Sequence, residues 1–276
     1  MKISEKPCRS ALVRSGIPGI GYCINPYSGC GHGCIYCYAS FMKRFLGTGE
    51  PWGSFVQVKT NVSDRLVKDL RKCRHDRVML SSVTDPYQPV EEVYRLTRSC
   101  LGILAGTDLP VSILTKSDLV LRDLDLLKKF SDIEVGFSIT TADDRIAEIL
   151  EPGATPPSRR FAAIAKLSAA GIRTWVFIAP VIPGLGDSEG ALREILGNAR
   201  SAGALDVEYD PLNCYPSARS NLTSIFKKNW PEFLPGLEEA CRNPAAWRSG
   251  LGSKAARLWK EYGYPLHRDE KRGRPD

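Results

Sequence analysis

The sequence predicts an α/β protein with six parallel strands and a helical C-terminal extension. Short apolar or β-branched runs alternate with amphipathic segments of helical period from residue 20 to about residue 210. This alternation is typical of βαβ units in a parallel sheet. It stops near residue 211, where prolines and helical patterns take over. The length of 276 residues fits one large α/β barrel or two small domains.

The alternating region predicts the elements one after another. The predicted strands are 20–24, 77–82, 110–115, 133–140, 172–179 and 205–209. The predicted helices are 63–74, 92–105, 119–130, 143–150, 158–170 and 188–202. Residues 1–18 are predicted to be irregular, and residues 40–61 to form a loop insertion with one short strand at 55–59. Six such units fit a partial (β/α)6 barrel of the TIM type, and a doubly wound open sheet would show the same periodicity.

Three segments are expected along the chain. Residues 1–210 are predicted to form the barrel, 211–266 a helical extension packed on it, and 267–276 a disordered tail. The extension has helical patterns at 237–242 and 244–262. The tail is predicted to be disordered because charged residues dominate it and leave little apolar surface to bury.

The composition is that of an ordinary globular protein, with 43% hydrophobic and 25% charged residues. No apolar run approaches the roughly 20 residues of a membrane-spanning helix. The N-terminal residues lack the apolar segment of a signal peptide, so a cytoplasmic location without membrane association is predicted. Nine cysteines without a pairing pattern fit a reducing compartment. The net charge of +7 permits a polyanionic partner such as a nucleic acid, although short basic groups are ordinarily a solvated surface.

The segment 25–40, NPYSGCGHGCIYCYAS, is the most informative part of the chain. It places Cys30, Cys34 and Cys37 in a C-x3-C-x2-C spacing with glycines between them. Glycine allows the backbone conformations that a loop needs when it wraps several side chains around one object. Cysteine thiolates bind soft metals and are the usual ligands of iron–sulfur clusters. Three thiolates would leave one iron of a four-iron cluster without a protein ligand and open to a cofactor or substrate.

The cysteine loop has two other possible explanations, a zinc site and a disulfide. A closed structural zinc site requires four ligands, so His32 would have to join the three cysteines. A disulfide is disfavoured because three clustered cysteines cannot all pair and the chain has no secretory features.

Four further segments follow predicted strands. They are 82–91 (SVTDPYQPVE), Lys116, Ser138 and 178–189 (IAPVIPGLGDSE). Because the carboxyl ends of parallel strands meet on one rim, these segments are predicted to face the cysteine loop across a common site. Each also has a plain structural explanation. These explanations are a rigid proline turn, a solvated lysine, a hydroxyl bonded to its own backbone, and a helix cap at Asp187.

The C-x3-C-x2-C spacing, with Tyr36 before its third cysteine, resembles the signature of the radical S-adenosylmethionine (SAM) superfamily. The wider segment NPYSGCGHGCIYCYA resembles the spore photoproduct lyase-like family within it. The resemblance implies a partial (β/α)6 barrel in which Cys30, Cys34 and Cys37 hold a [4Fe–4S] cluster. It also implies that SAM chelates the fourth iron. One electron, from a reductant such as flavodoxin or ferredoxin, would then cleave SAM, usually to methionine and a 5′-deoxyadenosyl radical.

The same resemblance implies contacts with the amino-acid end of SAM. Thr84 and Asp85 would help to hold its amino group, a cation that requires acceptors. Lys116 and Ser138 would contact the methionine part, with the lysine as a point charge for the carboxylate.

At the other end of SAM, the resemblance implies that Ile182 packs against the adenine and that Gly184 shapes the adjoining turn. Tyr36 would present its ring or backbone to the adenine from beside the cluster.

One departure from the family concerns the hydrogen-atom donor. Spore photoproduct lyase uses a cysteine just before its equivalent of the TDP segment, and residues 80–85 here read LSSVTD. Serine is a far poorer donor than a thiol, so thymine-dimer repair by that route is not expected. Cys214, Tyr38 and Tyr87 are the alternative candidates. The substrate is not identified, and the reaction type is open between lyase and transferase.

A second function remains open from the sequence. The positive charge also suits a protein that binds or modifies nucleic acid and uses the cysteines for a structural metal.

Overall fold

The computed structural model describes residues 1–265; the predicted disordered tail at 267–276 lies outside the described residues. Within residues 1–265 the strands are β1 (Lys2–Glu5), β2 (Leu12–Arg14), β3 (Tyr22–Ile24), β4 (Tyr27–Ser28), β5 (Phe55–Val58), β6 (Val78–Leu80), β7 (Val111–Thr115), β8 (Ile133–Ser138), β9 (Arg173–Val181) and β10 (Asp206–Pro211). The α-helices are α1 (Met42–Leu46), α2 (Val62–Leu70), α3 (Glu91–Tyr94), α4 (Leu96–Leu104), α5 (Leu124–Leu127), α6 (Asp144–Leu150), α7 (Pro157–Ala169), α8 (Glu189–Ser201), α9 (Pro216–Asn229), α10 (Leu234–Arg242) and α11 (Pro244–Tyr262).

The main sheet has the strand order β10-β9-β8-β7-β6-β3-β2. Its first six strands in that order are parallel, and β2 pairs antiparallel with β3 at the edge. The six predicted parallel strands are therefore confirmed, in the sequential order of a βα series. The sheet is open, because β10 and β2 lie at opposite edges.

The two faces of this sheet have different environments. On the helix-covered face, alternate residues such as Leu80, Ile113 and Val176 are fully buried. Each buried aliphatic side chain of this kind contributes about 1.5–3 kcal/mol to folding. The opposite face curves around a cavity of about 550 Å³, which is lined by residues of all six parallel strands or the segments that adjoin them. This concave face is that of a partial (β/α)6 barrel.

Gly136 in β8 allows this concave face to form. A Cβ built at Gly136 would lie 2.3 Å from the indole of Trp175 on the neighbouring strand. The glycine thus makes room for Trp175 to lie across the sheet as part of the cavity wall.

A small second sheet of order β1-β5-β4 leads into the cysteine loop. It confirms the short strand predicted at 55–59, but the prediction that residues 1–18 are irregular is wrong, because β1 and β2 lie there. Both strands are short, and β1 pairs with β5, about fifty residues away. Pairing over that distance leaves no local periodic pattern.

Two predicted helices differ in the structure. The helix expected at 92–105 is divided into α3 and α4, because Arg95 between them has φ +52°. The buried Glu91 carboxylate accepts from the backbone N–H groups of Thr97 and Arg98, which caps the start of α4. Much of the helix expected at 119–130 is a 3₁₀ turn over 118–123, followed by the short α5.

The C-terminal part is helical, as predicted, and α11 packs against α8. Trp259 is buried and donates a hydrogen bond to the Val207 carbonyl in β10. Helix α9 was not predicted, although it begins with a proline at its first position, where proline is well tolerated. Within residues 1–265, no helix combines the length and apolarity that crossing a bilayer requires.

The expectation that the cysteines show no pairing is wrong for one pair. Cys214, in the loop after β10, forms a disulfide with Cys241 in α10, across a sequence separation of 27 residues. The bond ties a loop at the cavity mouth to the C-terminal helices.

Candidate active site

The three cysteines of the predicted cluster loop line the same cavity. Cys30 and Cys34 are buried and Cys37 is half-buried. The loop leaves β4, and Cys37 N–H donates to the Cys34 carbonyl at 3.2 Å as the chain enters a 3₁₀ turn. The loop thus presents three thiols to one enclosed space.

Burial raises the pKa of the Cys30 thiol to about 12 and raises those of Cys34 and Cys37 as well. A buried thiolate therefore requires a compensating positive charge, which a bound metal centre supplies. Soft thiolate ligands without a fourth protein ligand match an iron–sulfur cluster better than a closed zinc site. Among residues 1–265, no three His, Cys, Asp or Glu side chains lie close enough together to hold a single metal ion.

The segment after α6 shapes the loop from outside. Leu150 O accepts from Ile35 N–H at 3.0 Å, and Gly153 N–H donates to the His32 carbonyl at 2.9 Å. A Cβ at Gly153 would lie 2.3 Å from Gly31 O. The two backbones approach so closely that only glycine fits.

Replacing Gly153 by alanine is therefore expected to displace the cysteine loop and to lower stability by about 1–3 kcal/mol, as overpacking does. Iron content after reconstitution and urea denaturation of the metal-free protein measure the two effects. Gly102→Ala is the matched control, since nothing lies within 4 Å of its added Cβ on α4. That change is expected to leave iron binding intact and to raise stability slightly. Equal behaviour of the two variants would contradict the close-approach argument.

Asp85 connects the cysteine loop to the ends of β6 and β7. Its Oδ1 accepts from Tyr87 N–H at 2.8 Å and Thr115 Oγ1 at 2.7 Å, and its Oδ2 from Lys116 N–H at 2.7 Å. Oδ2 also faces His32 Nδ1 at 3.4 Å. Burial acts to raise the pKa of Asp85, but His32 and these hydrogen bonds hold it below its ordinary value.

Thr84 is likewise occupied within the protein. Its hydroxyl donates to the Gly29 carbonyl at 2.5 Å and accepts from Gln88 Nε2 at 2.8 Å. Gln88 also accepts from Gly31 N–H at 2.8 Å. The predicted SAM-amino contacts Thr84 and Asp85 thus lie at the cavity, but their polar atoms already hold the cysteine loop.

Lys116 and Tyr36 meet at a buried ion pair. The Tyr36 hydroxyl donates to Glu151, and Arg160 donates to the same carboxylate. Lys116 Nζ lies 3.7 Å from Glu151 Oε1 and 5.8 Å from the centre of the Tyr36 ring. Burial opposes ionisation of Glu151, yet Arg160, Lys116 and Tyr36 lower its pKa to about 2. The carboxylate is charged and fixes the positions of both predicted site residues.

Arg160 connects this network to the end of β8. Its guanidinium is 1% exposed and donates to the Ser138 carbonyl at 2.8 Å and the Thr155 carbonyl at 2.6 Å. The predicted site residue Ser138 lines the cavity and is held in place through its backbone. The sequence alone assigns no role to Glu151, Gly153, Gln88 or Arg160.

Ile182 and Gly184 do not line the cavity. Ile182 is fully buried in an apolar cluster with Cys34 and Tyr36, behind the cysteine loop. Gly184 has φ +82°, and a Cβ there would meet Phe233 O at 3.0 Å in the C-terminal part. Cavity-lining positions from the same strand are instead Ala179 and Pro180. The predicted cap at Asp187 accepts from Gly184 N–H, and Ser188 caps α8.

The candidate hydrogen-atom donors differ in whether they line the cavity. Cys214 is in the disulfide and Tyr87 is buried against Asp123, to which its hydroxyl donates at 3.1 Å; neither lines the cavity. Tyr38 does line it, as does Ser81 at the end of β6. Ser81 has φ +67° and is 3% exposed, and its hydroxyl has no hydrogen-bond partner among the described residues.

Comparison with known proteins decides the family. The sequence profile described as the Radical SAM superfamily matches residues 24–195, which include the cysteine loop and the strands β4 to β9. The chain belongs to the radical SAM superfamily. It is accordingly a radical SAM enzyme, and the resemblance of the segment around the cysteines predicted this correctly.

Several relatives share much of the chain. A protein of Mycobacterium tuberculosis is 34% identical over 273 residues, covering 94% of this chain and 80% of its own. One of Methanocaldococcus jannaschii is 44% identical over 191 residues, covering 68% and 71%. Both carry the name uncharacterized protein. The Radical SAM Nalpha-GlyT isomerase of Pseudomonas phage M6 is 32% identical over 183 residues, covering 65% of this chain but 35% of the phage protein.

Solved structures of spore photoproduct lyase share the fold. One superimposes with a TM-score of 0.67 at 19% identity and covers 94% of this chain and 79% of that chain. Another, with bound AdoMet and dinucleoside spore photoproduct, has a TM-score of 0.61 at 20% identity and covers 82% and 66%. Both support the partial-barrel fold.

Proposed function

We propose that this radical SAM enzyme holds a [4Fe–4S] cluster on Cys30, Cys34 and Cys37 and cleaves SAM reductively to start radical chemistry. One observation carries the proposal: the three thiols of the cysteine loop, with Lys116 and Ser138, line a single cavity of about 550 Å³. This volume is within the range of small-molecule and cofactor sites. The cluster would supply one electron to SAM.

The residues around the cavity have distinct roles in this proposal. Lys116 pairs with the SAM carboxylate, since its ammonium group lies at the cavity beside Tyr36. Asp85 positions the loop and the Lys116 backbone rather than binding the SAM ammonium, because its carboxylate already has four polar neighbours. Ala179 and Pro180 replace Ile182 and Gly184 as the apolar wall for adenine.

The substrate would occupy the part of the cavity that Trp175 and Phe177 line. Their ring centres lie 5.8 Å apart, and Ser112, Glu134 and Glu208 add polar groups to the lining. A flat polar ring system suits such a lining, because aromatic faces stack on it and polar edges bind the side chains. The dinucleoside spore photoproduct bound in one structural neighbour supports a nucleoside as the substrate class. Lacking a thiol at residues 80–85, the enzyme would use another donor than spore photoproduct lyase, and Tyr38 is the candidate at the cavity.

The test is anaerobic reconstitution followed by reduction in the presence of SAM. We expect about four irons and four sulfides per chain, an EPR signal of a reduced cluster that changes when SAM is added, and 5′-deoxyadenosine as a product. Product analysis also distinguishes 5′-deoxyadenosine from methylthioadenosine. A folded protein that takes up no iron, or one that binds a cluster and leaves SAM intact, would overturn the proposal.

A further inference from the structure

We propose that a groove on the outer side of the cysteine loop is the docking site of a small acidic one-electron carrier protein. This outer groove has a volume of about 1040 Å³ and lies between α1 and the start of α9. The inference rests on the proposed function, because only a reducible cluster needs such a partner.

The outer groove reaches the cysteines from outside the main cavity. Cys34 and Cys37 line both spaces. Neighbouring residues of the loop line different spaces. His32 and Tyr36 line the main cavity, and Gly33 and Ile35 line the groove. A protein bound in the groove would therefore be separated from a cluster on the cysteines by a single layer of loop. A short path of this kind suits electron transfer.

The charge of the groove walls favours an acidic partner. Lys43 and Arg44 of α1 line the groove, and no aspartate or glutamate among residues 1–265 does. Exposed Arg219, Lys227 and Lys228 lie elsewhere on α9, outside the groove lining. The segments 38–49 and 216–229 contain no aspartate or glutamate, although the whole chain has 31. A positive patch beside a redox centre raises the association rate of an acidic protein and orients it.

Exposed aromatic side chains are concentrated at the groove. Within residues 1–265 four aromatic side chains are exposed, and they are Tyr38, Phe41, Phe45 and Tyr215. Three of these line the groove, and Phe45 contacts Phe41 with ring centres 6.0 Å apart. Exposed aromatics ringed by basic residues are typical of a protein–protein interface.

A nucleic acid is the other polyanion that could use this chemistry. The observations favour the carrier, because a substrate must reach the main cavity, where Lys116 and Ser138 lie. The groove adjoins the cavity at Tyr38, Trp52 and Tyr215, but neither Lys116 nor Ser138 lines it. One electron would pass from the reduced carrier to the oxidised cluster, which restores the reduced state used for SAM cleavage.

The test compares two reductants on the reconstituted enzyme. Lys43→Glu/Arg44→Glu should slow cluster reduction by a purified acidic flavodoxin at least tenfold at low ionic strength, about the smallest effect expected for lost electrostatic steering. Reduction by reduced methyl viologen, a small molecule that needs no docking site, should be unchanged. Arg71→Glu/Lys72→Glu, on the exposed turn after α2, makes the same net charge change away from the groove and should leave both rates unchanged.

Each result decides the inference. Equal flavodoxin rates in wild type and the α1 variant would overturn it, and so would equal slowing with both reductants, which indicates damage to the loop. If the α1 variant loses single-stranded DNA binding but keeps its flavodoxin rate, the groove binds nucleic acid and the inference fails. If neither reductant drives SAM cleavage in wild type, the proposed function itself fails. The docking inference, which rests on that function, then fails too.

Discussion

Replacing Cys34 by alanine is expected to abolish stable iron binding and reductive SAM cleavage. Loss of a residue that merely supports a metal ligand costs about 10–100-fold in affinity or activity. Removing a direct ligand should therefore cost more than about 100-fold. Cys34 is 7% exposed, and burial raises its pKa, so the thiol has no stable charged state there without a metal centre. Iron analysis, the visible absorption of the reconstituted protein and 5′-deoxyadenosine formation measure the loss.

Cys73→Ala is the matched control for this experiment. Cys73 is a half-buried free cysteine outside both the main cavity and the outer groove. Its substitution should leave iron content and SAM cleavage at wild-type levels. A Cys34→Ala protein that retains four irons and cleaves SAM would remove this cysteine from the cluster.

Replacing Glu151 by glutamine is expected to lower the free energy of unfolding by about 3–5 kcal/mol, the usual cost of removing one partner of a buried ion pair. The change keeps the size and the acceptor oxygen but removes the charge that faces Arg160. The guanidinium of Arg160 is 1% exposed and would stay buried without its counter-charge. Urea denaturation of the metal-free protein at pH 7 measures the change.

The pH dependence of the same variant follows from the lowered pKa of Glu151. Its ordinary value of 4.5 falls to about 2 in the folded protein. The ionised carboxylate therefore contributes stability that is fully present above about pH 4.5 and is lost as the pH falls towards 2. The stability difference between wild type and Glu151→Gln should shrink over that interval.

Glu189→Gln is the control for the ion pair. Glu189 pairs with Arg193 and Arg257 at the surface, where its side chain is 43% exposed and solvent screens the charges. Its substitution should have little effect on unfolding. A Glu151→Gln protein as stable as Glu189→Gln at pH 7 would show that the buried network is not structural.

Much of the fold was predictable because its signals are local. Buried strands such as β7 and β8 carry apolar or β-branched residues within a few positions. Helices α7 and α8 have an apolar stripe of helical period. Elements held by distant partners were missed. β1 depends on its pairing with β5, and α9 lies in a proline-rich stretch where propensity favours turns.

The candidate site likewise has residues that the sequence predicted and residues that it did not. The loop cysteines, Lys116 and Ser138 were predicted because strand ends meet on one rim and thiols have specific chemistry. The supports of that site were not. Gly153 is required by a contact with Gly31, and Glu151 by a contact with Arg160; neither contact has a sequence pattern of its own. The resemblance implied that Ile182 packs against the adenine of SAM. In the structure Ala179 and Pro180 line the cavity and Ile182 does not.

By itself, the sequence determined the six parallel strands, the open thiol triad and the family, because period and spacing act over a few residues. Only the tertiary structure decided which polar groups are free to meet a ligand. Asp85 and Thr84 carry the right atoms for binding SAM, but hydrogen bonds with Thr115, Lys116 and Gly29, which are distant in sequence, already occupy them. Whether a polar side chain binds a ligand or holds a loop depends on its neighbours in space, and the order of residues does not record those neighbours.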